Sequence, residues 1–191
     1  MSPLSAGNHA PPPLAPHCVA LGRGGLLHLR NTLLAGQSPD ATAQLQGAGA
    51  AAGAELFRAF SAWLPGYAGV NRPEDLDASR LNDVLAAFFR NAGWGSLTME
   101  PLAGVVLAFD SSDWVEASPG ADLGVPSCYL TTGLLTTFLT ALSDAPVAVM
   151  EVECRSKNDG RCRFLSGAPE TLQALYDQLL EGRAYQQALG L

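Results

Sequence analysis

The sequence contains few basic residues and no long apolar run. Its 11 Lys and Arg residues are outnumbered by 18 Asp and Glu residues, which gives a formal net charge of −7 at pH 7. Because clustered Lys and Arg side chains bind nucleic-acid phosphates, this charge balance argues against a nucleic-acid-binding protein. No uninterrupted apolar stretch reaches the ~18 residues typical of a membrane-spanning helix, so we predict no membrane span.

The sequence also lacks the features of an exported protein and of a nucleotide-dependent enzyme. Its N-terminus has neither the basic residues nor the apolar run of a signal peptide, so we expect a cytoplasmic protein whose cysteines stay reduced. There is no P-loop or nucleophile–base pair, and Gly22-x-Gly24-Gly25 lacks the third spaced glycine of a dinucleotide-binding motif. An enzyme is therefore the less favoured interpretation.

The composition is that of one folded domain. With 191 residues and 48 % hydrophobic content, the chain has ample material for a core. Residues 1–16 are rich in proline and are predicted to form a disordered tail, and residues 17–191 are predicted to form a single domain. Amphipathic helices and short strand pairs indicate an α+β fold, in which helices pack on a mainly antiparallel sheet.

The hydrophobic spacing predicts five helices and five strands. The second helix is expected to begin with Ser38 as N-cap and Pro39 in its first turn, and to end near Leu64, before a loop from Pro65. Its Gly47–Gly53 segment has little side-chain bulk, so another helix can approach closely, either within the protomer or across a dimer contact. The predicted helices are 22–34, 38–64, 77–91, 127–142 and 169–180, and the predicted strands are 17–21, 97–102, 105–109, 146–153 and 161–165.

Three of the four cysteines fall close to a pair of glutamates, at Cys128, Cys154 and Cys162. Thiolate sulfur is a preferred ligand of zinc, and a carboxylate such as Glu151 or Glu153 can complete a tetrahedral set. The same pattern permits a disulfide between the last two cysteines, or simple buried thiols. The remaining cysteine, at position 18, is expected to be a small buried apolar residue.

The segment between the last two cysteines combines a turn signal with positive charge. Asp159-Gly160 is typical of a hairpin turn, because glycine accepts a positive φ, and a hairpin would bring Cys154 and Cys162 together. A metal held by three thiolates and a carboxylate is a net dianion, so the nearby basic residues are predicted to supply counter-charge. A solvated hairpin surface is the alternative. The basic residues are Arg155, Lys157, Arg161 and Arg163.

Several motifs resemble those of the 4-vinyl reductase domain family, whose ligand-binding fold is shared with subunits of the vesicle-tethering transport particle. The motifs are Gly93-Trp-Gly95, Val125-Pro-Ser-Cys128, and Glu151-x-x-Cys154 closed by Asp159-Gly-Arg-Cys-Arg-Phe164, and the resemblance covers about residues 17–182. In the family's aromatic-responsive sensor domains, a Cys, a Glu and two further Cys hold a zinc. The resemblance thus implies a closed, structural zinc site, with Glu153 as the competing carboxylate. The implied ligands are Cys128, Glu151, Cys154 and Cys162.

The resemblance also implies an apolar ligand pocket. The elements that enclose it in the family carry Phe88, Trp94, Met99, Phe109, Trp114, Tyr129, Phe138 and Met150 here. The six aromatic residues among these are the predicted ligand-binding residues, and simple core filling is the alternative. The family's phenol sensors hold the hydroxyl with a histidine and a tryptophan. That histidine has no counterpart here, so phenol itself is not the expected ligand.

These features together predict a stand-alone, zinc-stapled module that binds a hydrophobic or aromatic small molecule as a sensor or carrier. The family's early helices often form a dimer contact, so a homodimer is expected. The sequence carries neither the ATPase nor the DNA-binding domain of the family's activators, so a separate signalling partner would have to read the bound state. The alternatives are an accessory protein or enzyme of vinyl-group reduction in (bacterio)chlorophyll synthesis, and an assembly or scaffold protein.

Overall fold

The computed structural model describes residues 18–36 and 38–191, so the predicted tail over residues 1–16 lies outside the described residues. The described chain forms six α-helices and four β-strands. None of these helices is both long and apolar enough to cross a membrane. The helices are α1 (Arg23–Ala35), α2 (Ala41–Ala68), α3 (Ala78–Asn91), α4 (Tyr129–Ser143), α5 (Pro169–Leu180) and α6 (Tyr185–Leu189), and the strands are β1 (Thr98–Leu102), β2 (Val106–Ser111), β3 (Ala148–Glu153) and β4 (Cys162–Gly167).

The four strands form one antiparallel sheet with the order β1-β2-β4-β3. Alternate residues point to opposite faces. The register pair Phe109 and Phe164 faces a large core built with α2, α3 and α4, whereas Ala108 and Leu165 face a smaller core built with α5 and α6. Helices therefore cover both faces of the sheet. The predicted α+β fold with a mainly antiparallel sheet is confirmed.

The N-terminal segment differs from its prediction. Residues 18–21 do not form the strand expected over 17–21, and His17 lies outside the described residues. Val19 is 87 % exposed, because the segment runs along the surface and joins no sheet. The half-buried Cys18 is likewise less enclosed than expected. The sheet consequently contains four strands instead of five.

Helix α2 starts later and ends later than predicted. Ser38 Oγ accepts a hydrogen bond from the Asp40 N–H at 3.3 Å, so this part of the chain is a turn and the helix begins at Ala41. At the other end the helix continues through Pro65 to Ala68. The rings of Trp63 and Tyr67 stack across the proline with centroids 4.1 Å apart. This contact, together with the burial of Phe60 and Leu64 in the large core, helps to maintain the helix past the proline.

The predicted close helix approach occurs inside the protomer, between α2 and α4. A β-carbon at Gly49 would lie 1.9 Å from the Leu130 carbonyl oxygen, and one at Gly133 would lie 2.0 Å from the Gln46 carbonyl oxygen. Glycine is therefore required on both helices. Of the two uses predicted for the small residues of α2, the structure shows the packing within one protomer.

Candidate metal centre and ligand cavity

Three elements bring the cysteine cluster together. Cys128 is the residue immediately before α4, Glu151 lies on β3, Cys154 directly follows β3, and Cys162 begins β4. Their ligand atoms all lie within 4.8 Å of one another. The Sγ atoms of Cys128 and Cys154 are 3.8 Å apart. Two sulfurs bound tetrahedrally at about 2.3 Å from zinc would be about 3.8 Å apart, so the cluster has the dimensions of a metal site.

Glu151 is held in place by one carboxylate oxygen and leaves the other free. Its Oε2 accepts the backbone N–H of Cys128 at 2.8 Å, while its Oε1 is buried without a hydrogen-bond partner. A buried carboxylate oxygen without a partner is costly, and a metal ion would satisfy it. Glu153, the competing carboxylate, instead accepts hydrogen bonds from Arg161 Nε at 2.8 Å and from the Tyr185 hydroxyl.

The turn between β3 and β4 is wider than the predicted Asp-Gly hairpin. It contains a short 3₁₀ helix, Arg155–Lys157, and the left-handed residue is Asn158, with φ 69°, instead of Gly160. Asparagine tolerates this conformation better than other residues with a side chain. Asp159 Oδ2 accepts the backbone N–H of Cys154 at 2.8 Å, which fixes Cys154 at the entrance of the turn.

Ionisation of Cys154 is favoured by its neighbours, and it opposes the ionisation of Glu151 and Cys128. Burial, and then the charge of the Cys154 thiolate, raise the pKa of Glu151 to about 9. A hydrogen bond from Cys128 lowers the pKa of Cys154, and the same hydrogen bond raises the pKa of Cys128. Four acids confined to one buried site cannot all lose their protons without a cation. The donor set can therefore hold a metal ion, and it is poorly suited to remain fully ionised without one.

The predicted counter-charge shell comprised Arg155, Lys157, Arg161 and Arg163. Three of these side chains pair with carboxylates instead of the cluster, and the role of Arg155 stays a prediction. The guanidinium groups at 161 and 163 bind Asp110, at 3.0 and 2.7 Å, on the sheet face covered by α5 and α6. The ammonium group at 157 lies 3.3 Å from Asp159. These carboxylates take up the positive charge of the three side chains, and polar groups lie closer to the sulfurs. The Ser127 backbone and the Ser156 hydroxyl both hydrogen-bond Cys154.

Arg30 of α1 is a buried cation beside the cluster that the sequence analysis did not identify. Its side chain is 1 % exposed, and its Nη2 donates to the Ser127 carbonyl oxygen at 2.8 Å and to Ser127 Oγ at 2.5 Å. Ser127 Oγ in turn lies 3.9 Å from Cys154 Sγ. Helix α1 is thus hydrogen-bonded through Arg30 to Ser127, the residue that precedes Cys128. The one available signal was the position of Arg30 four residues after Leu26, on the side of α1 that faces the domain.

Glu116 pairs with Arg30 and caps α4. Its carboxylate lies 3.5 Å from Arg30 Nε and accepts the backbone N–H groups of Leu130 at 3.1 Å and Thr131 at 2.8 Å. Thr131 Oγ1 donates to the same carboxylate at 2.6 Å and accepts from Trp114 Nε1 at 2.7 Å. Burial raises the pKa of Glu116 despite these partners. The indole N–H of Trp114 is therefore already used inside the protein.

The structure does not gather the six predicted ligand-binding residues around one cavity. Trp94 and Tyr129 are half-buried at different places, and Tyr129 hydrogen-bonds Thr42 of α2. The other four side chains are buried in the large core, where aromatic rings contact one another. The ring centroids of Phe88 and Phe138, for example, are 6.1 Å apart. Their role in ligand binding stays a prediction. These four are Phe88, Phe109, Trp114 and Phe138.

An apolar cavity of about 600 Å³, open to solvent on the side where Val105 is 56 % exposed, lies between the sheet, α3 and the C-terminal part of α4. Of the six predicted residues, Phe109 lines it. Its volume is within the range of small-molecule sites, about 300–1,000 Å³. The wall also includes the turn between β1 and β2, at Gly104 and Val105. Other lining side chains are Leu85, Met99, Leu107, Leu139 and Val147.

The cysteine cluster and the cavity lie at opposite ends of the same elements. Cys128 precedes α4 and Leu139 lies near its end, a separation of about 16 Å at the helical rise per residue. On β3, Glu151 belongs to the cluster, whereas Val147, just before the strand, lines the cavity. A ligand in the cavity would therefore not touch a metal bound by the cluster.

The comparisons with known proteins agree with the predicted resemblance. Residues 115–168, which include the whole cysteine cluster, match the family model of the 4-vinyl reductase domain. A search of curated proteins finds no significant match. Among solved structures, the chain is similar to the phenol-responsive sensory domain of the transcription activator PoxR, determined with phenol, at 16 % identity over 80 % of this chain and 77 % of that chain, with a TM-score of 0.61. The resemblance is confirmed, and at this identity the structural match establishes a shared fold.

Proposed function

We propose that this protein is a zinc-stapled module that binds a hydrophobic small molecule, as a sensor or a carrier. The apolar cavity of about 600 Å³ carries the binding part of the proposal, because its volume and its apolar lining suit a hydrophobic small molecule. The match to the 4-vinyl reductase domain and the fold shared with a phenol-responsive sensory domain support the same role. A sensor or carrier needs only binding and release, which such a cavity provides.

Zinc is the metal that best fits the cluster. Three thiols and one carboxylate provide soft ligands for a tetrahedral ion and fill all four positions, which is typical of a structural site. The free Oε1 of Glu151 supports this assignment. A metal bound only by the folded chain contributes on the order of 10 kcal/mol to folding. We assign the protein to the cytoplasm, where reduced thiols remain available to a metal.

We further propose that the protein forms a homodimer through the outer face of α1. Leu29 is 57 % exposed, and Leu33, one turn further along α1, is also exposed. These two side chains are four residues apart, which places them on one face of the helix. Leu29→Lys should convert a dimer to a monomer in analytical ultracentrifugation, while Leu180→Lys on α5 should not. A wild-type monomer would contradict the proposal.

Native mass spectrometry of freshly purified protein, combined with elemental analysis, tests the proposed function. We expect one zinc per chain and an additional mass from a co-purified hydrophobic molecule. Zinc without additional mass would support the metal site and leave the ligand to be found by titration. Protein without metal, with Cys154 and Cys162 oxidised to a disulfide, would contradict the zinc assignment.

A further inference from the structure

The hydroxyl group of Ser127 is enclosed between the buried cation of α1 and the cysteine cluster. The residue is 2 % exposed. Its Oγ lies 2.5 Å from Arg30 Nη2 on one side and 3.9 Å from Cys154 Sγ on the other. In the part of the chain that the structure describes, these are the two hydrogen-bond partners of this hydroxyl. The hydroxyl therefore connects a fixed positive charge to a sulfur of the cluster.

The chemistry of the three groups determines the direction of both hydrogen bonds. A guanidinium group has only N–H donors, so Arg30 donates and Ser127 Oγ accepts. As a metal ligand, Cys154 is a thiolate, which can only accept. The single hydroxyl hydrogen of Ser127 is therefore donated to Cys154 Sγ. At 3.9 Å this contact is long for a hydrogen bond to sulfur, so its effect on the sulfur depends on how firmly the hydroxyl is held.

Several further contacts hold Arg30 against Ser127. Its Nε and Nη2 both donate to the Ser127 carbonyl oxygen, at 3.2 and 2.8 Å, and its Nη1 donates to Asn31 Oδ1 at 2.8 Å. The Glu116 carboxylate lies 3.5 Å from Nε on the other side. Because the side chain is 1 % exposed, the guanidinium group has no solvent to turn toward. Arg30 thus keeps the Ser127 hydroxyl in the orientation that directs its hydrogen to Cys154.

A hydrogen bond to a sulfur of this cluster is of value because the loaded site would be strongly negative. A divalent ion held by three thiolates and one carboxylate has a net charge of −2, and a buried dianion needs nearby donors. Lys157, Arg161 and Arg163 pair with other carboxylates. Groups that hydrogen-bond metal ligands commonly change metal affinity by about 10- to 100-fold. Arg30, acting through the Ser127 hydroxyl, is placed to have such an effect.

We propose that Arg30 and Ser127 are positioning residues of the metal centre. Arg30 orients the Ser127 hydroxyl, and the hydroxyl donates to the Cys154 thiolate, which strengthens metal binding. The inference rests on the proposed zinc site and adds to it two residues that do not bind the metal. It also gives α1 a role in the metal centre, although the four ligands all lie beyond residue 127 in the chain.

Substitution of the hydroxyl tests the proposal directly. Ser127→Ala removes the hydroxyl and keeps the ion pair between Arg30 and Glu116, so we expect the variant to fold. In competition with a chelator it should bind zinc about 10- to 100-fold more weakly, whereas Ser127→Thr, which keeps a hydroxyl, should retain most of the affinity. With cobalt(II) in place of zinc, Ser127→Ala should shift the sulfur-to-metal charge-transfer absorption to longer wavelength. The shift is expected because a hydrogen bond lowers the energy of the sulfur electrons, and a change of packing alone would not produce it.

A second arginine of α1 is the control for attachment of this helix. Arg23 donates to the backbone oxygens of Val115, at 3.1 Å, and Ala117, and it does not contact Ser127. Arg30→Gln should weaken zinc binding, whereas Arg23→Gln should leave the affinity unchanged. In a Ser127→Ala background, Arg30→Gln should have little further effect, because the hydroxyl through which Arg30 acts is already absent.

The outcomes distinguish this inference from the zinc site on which it rests. Wild-type zinc affinity and an unshifted cobalt(II) spectrum in Ser127→Ala would overturn the inference and preserve the metal site. Equal losses of affinity in the Arg23 and Arg30 variants would assign the effect to packing of α1 and would also overturn it. A wild-type protein that binds neither zinc nor cobalt(II) would overturn both the inference and the zinc site.

Discussion

Individual cysteines of this chain differ in their surroundings, and this difference makes the metal site testable. Cys154 is buried in the cluster, whereas Cys18 is half-buried before α1. We expect Cys154→Ser to lower the melting temperature strongly, because it removes most of a metal-binding free energy on the order of 10 kcal/mol. Cys18→Ser should change it little. Circular-dichroism melting measures both, and equal small shifts would contradict a structural metal.

The buried ion pair between Arg30 and Glu116 supports a second prediction at the residue scale. Arg30→Ala should lower the free energy of unfolding by about 3–5 kcal/mol, because it leaves a buried carboxylate without its cation. Arg58→Ala removes a solvent-exposed ion pair with Glu55, and its loss should change the free energy of unfolding little. Urea denaturation measures both variants. A similar loss in both would mean that Arg30 contributes little beyond an ordinary surface arginine.

The metal ligands could be predicted from the sequence, whereas the ion pair beside them could not. Cys128 and Cys154 could be identified because metal ligands are few residue types in a recognisable spacing. Arg30 and Glu116 could not be paired, because they are distant in sequence and follow no periodic pattern. Glu151 was preferred to Glu153 on the motif alone. In the structure a β-bulge between the two residues pairs Glu151 with Phe164 and Glu153 with Arg163, so only Glu151 lies with the sulfurs.

At the scale of elements, the contact between α2 and α4 depends on positions that lack a β-carbon. Gly49→Ala would place a methyl group 1.9 Å from the Leu130 carbonyl oxygen, so the helices would have to separate. We expect it to lower the free energy of unfolding by at least about 1–3 kcal/mol. Gly47→Ala, on the same helix with no atom within 4 Å, should raise it by about 0.5–1 kcal/mol.

Chemical denaturation measures the free energy of unfolding of both variants. The same glycine-to-alanine substitution should lower it at position 49 and raise it at position 47. Stabilisation by both variants would show that α2 and α4 are farther apart in solution than in the structure. Destabilisation by both would mean that Gly47 has a contact of its own, such as a partner protomer. The pair thereby also separates the two uses predicted for the small residues of α2.

Element boundaries were less predictable than the elements themselves. The spacing of Val84, Leu85, Phe88 and Phe89 predicted α3, and all four are buried. Pro65 was expected to end α2, which is the usual effect of proline on local structure. The core and the stacking of nearby aromatic rings instead maintain the helix for another turn. The local rule failed because burial in the large core and a ring contact one helical turn apart both favour the helix beyond Pro65.

At the scale of the whole molecule, the sheet joins a cluster and a cavity that lie far apart. The fold class followed from the pattern of helices and strands, but the position of the cavity did not. Aromatic side chains fill a core and line a pocket equally well, and only their packing in three dimensions decides between the two. Phe109 lines the cavity, while Phe138 fills the core. Each is a phenylalanine on the core side of its own element, and that position alone does not distinguish a cavity wall from a filled core.

Acidification should release the proposed zinc ion and thereby destabilise the protein as a whole. Each ligand must lose its proton to bind zinc, and without a cation burial raises the pKa of Glu151 to about 9. Protons therefore compete more effectively as the pH falls, and zinc affinity should decrease from pH 7.5 to pH 5. Because zinc binds the folded state, its release should lower the melting temperature. A zinc-sensitive dye and thermal melting would follow both quantities in the same samples.

Chelation at pH 7.5 separates loss of the metal from direct effects of acid on the fold. It should lower the melting temperature and increase amide hydrogen exchange first at Cys128 and in the turn between β3 and β4, where the ligands hold the chain. The cavity end of α4, about 16 Å away, should keep its protection longer. An unchanged melting temperature after complete zinc removal would contradict a structural role. Zinc content independent of pH would show that these thiols and Glu151 are not its ligands.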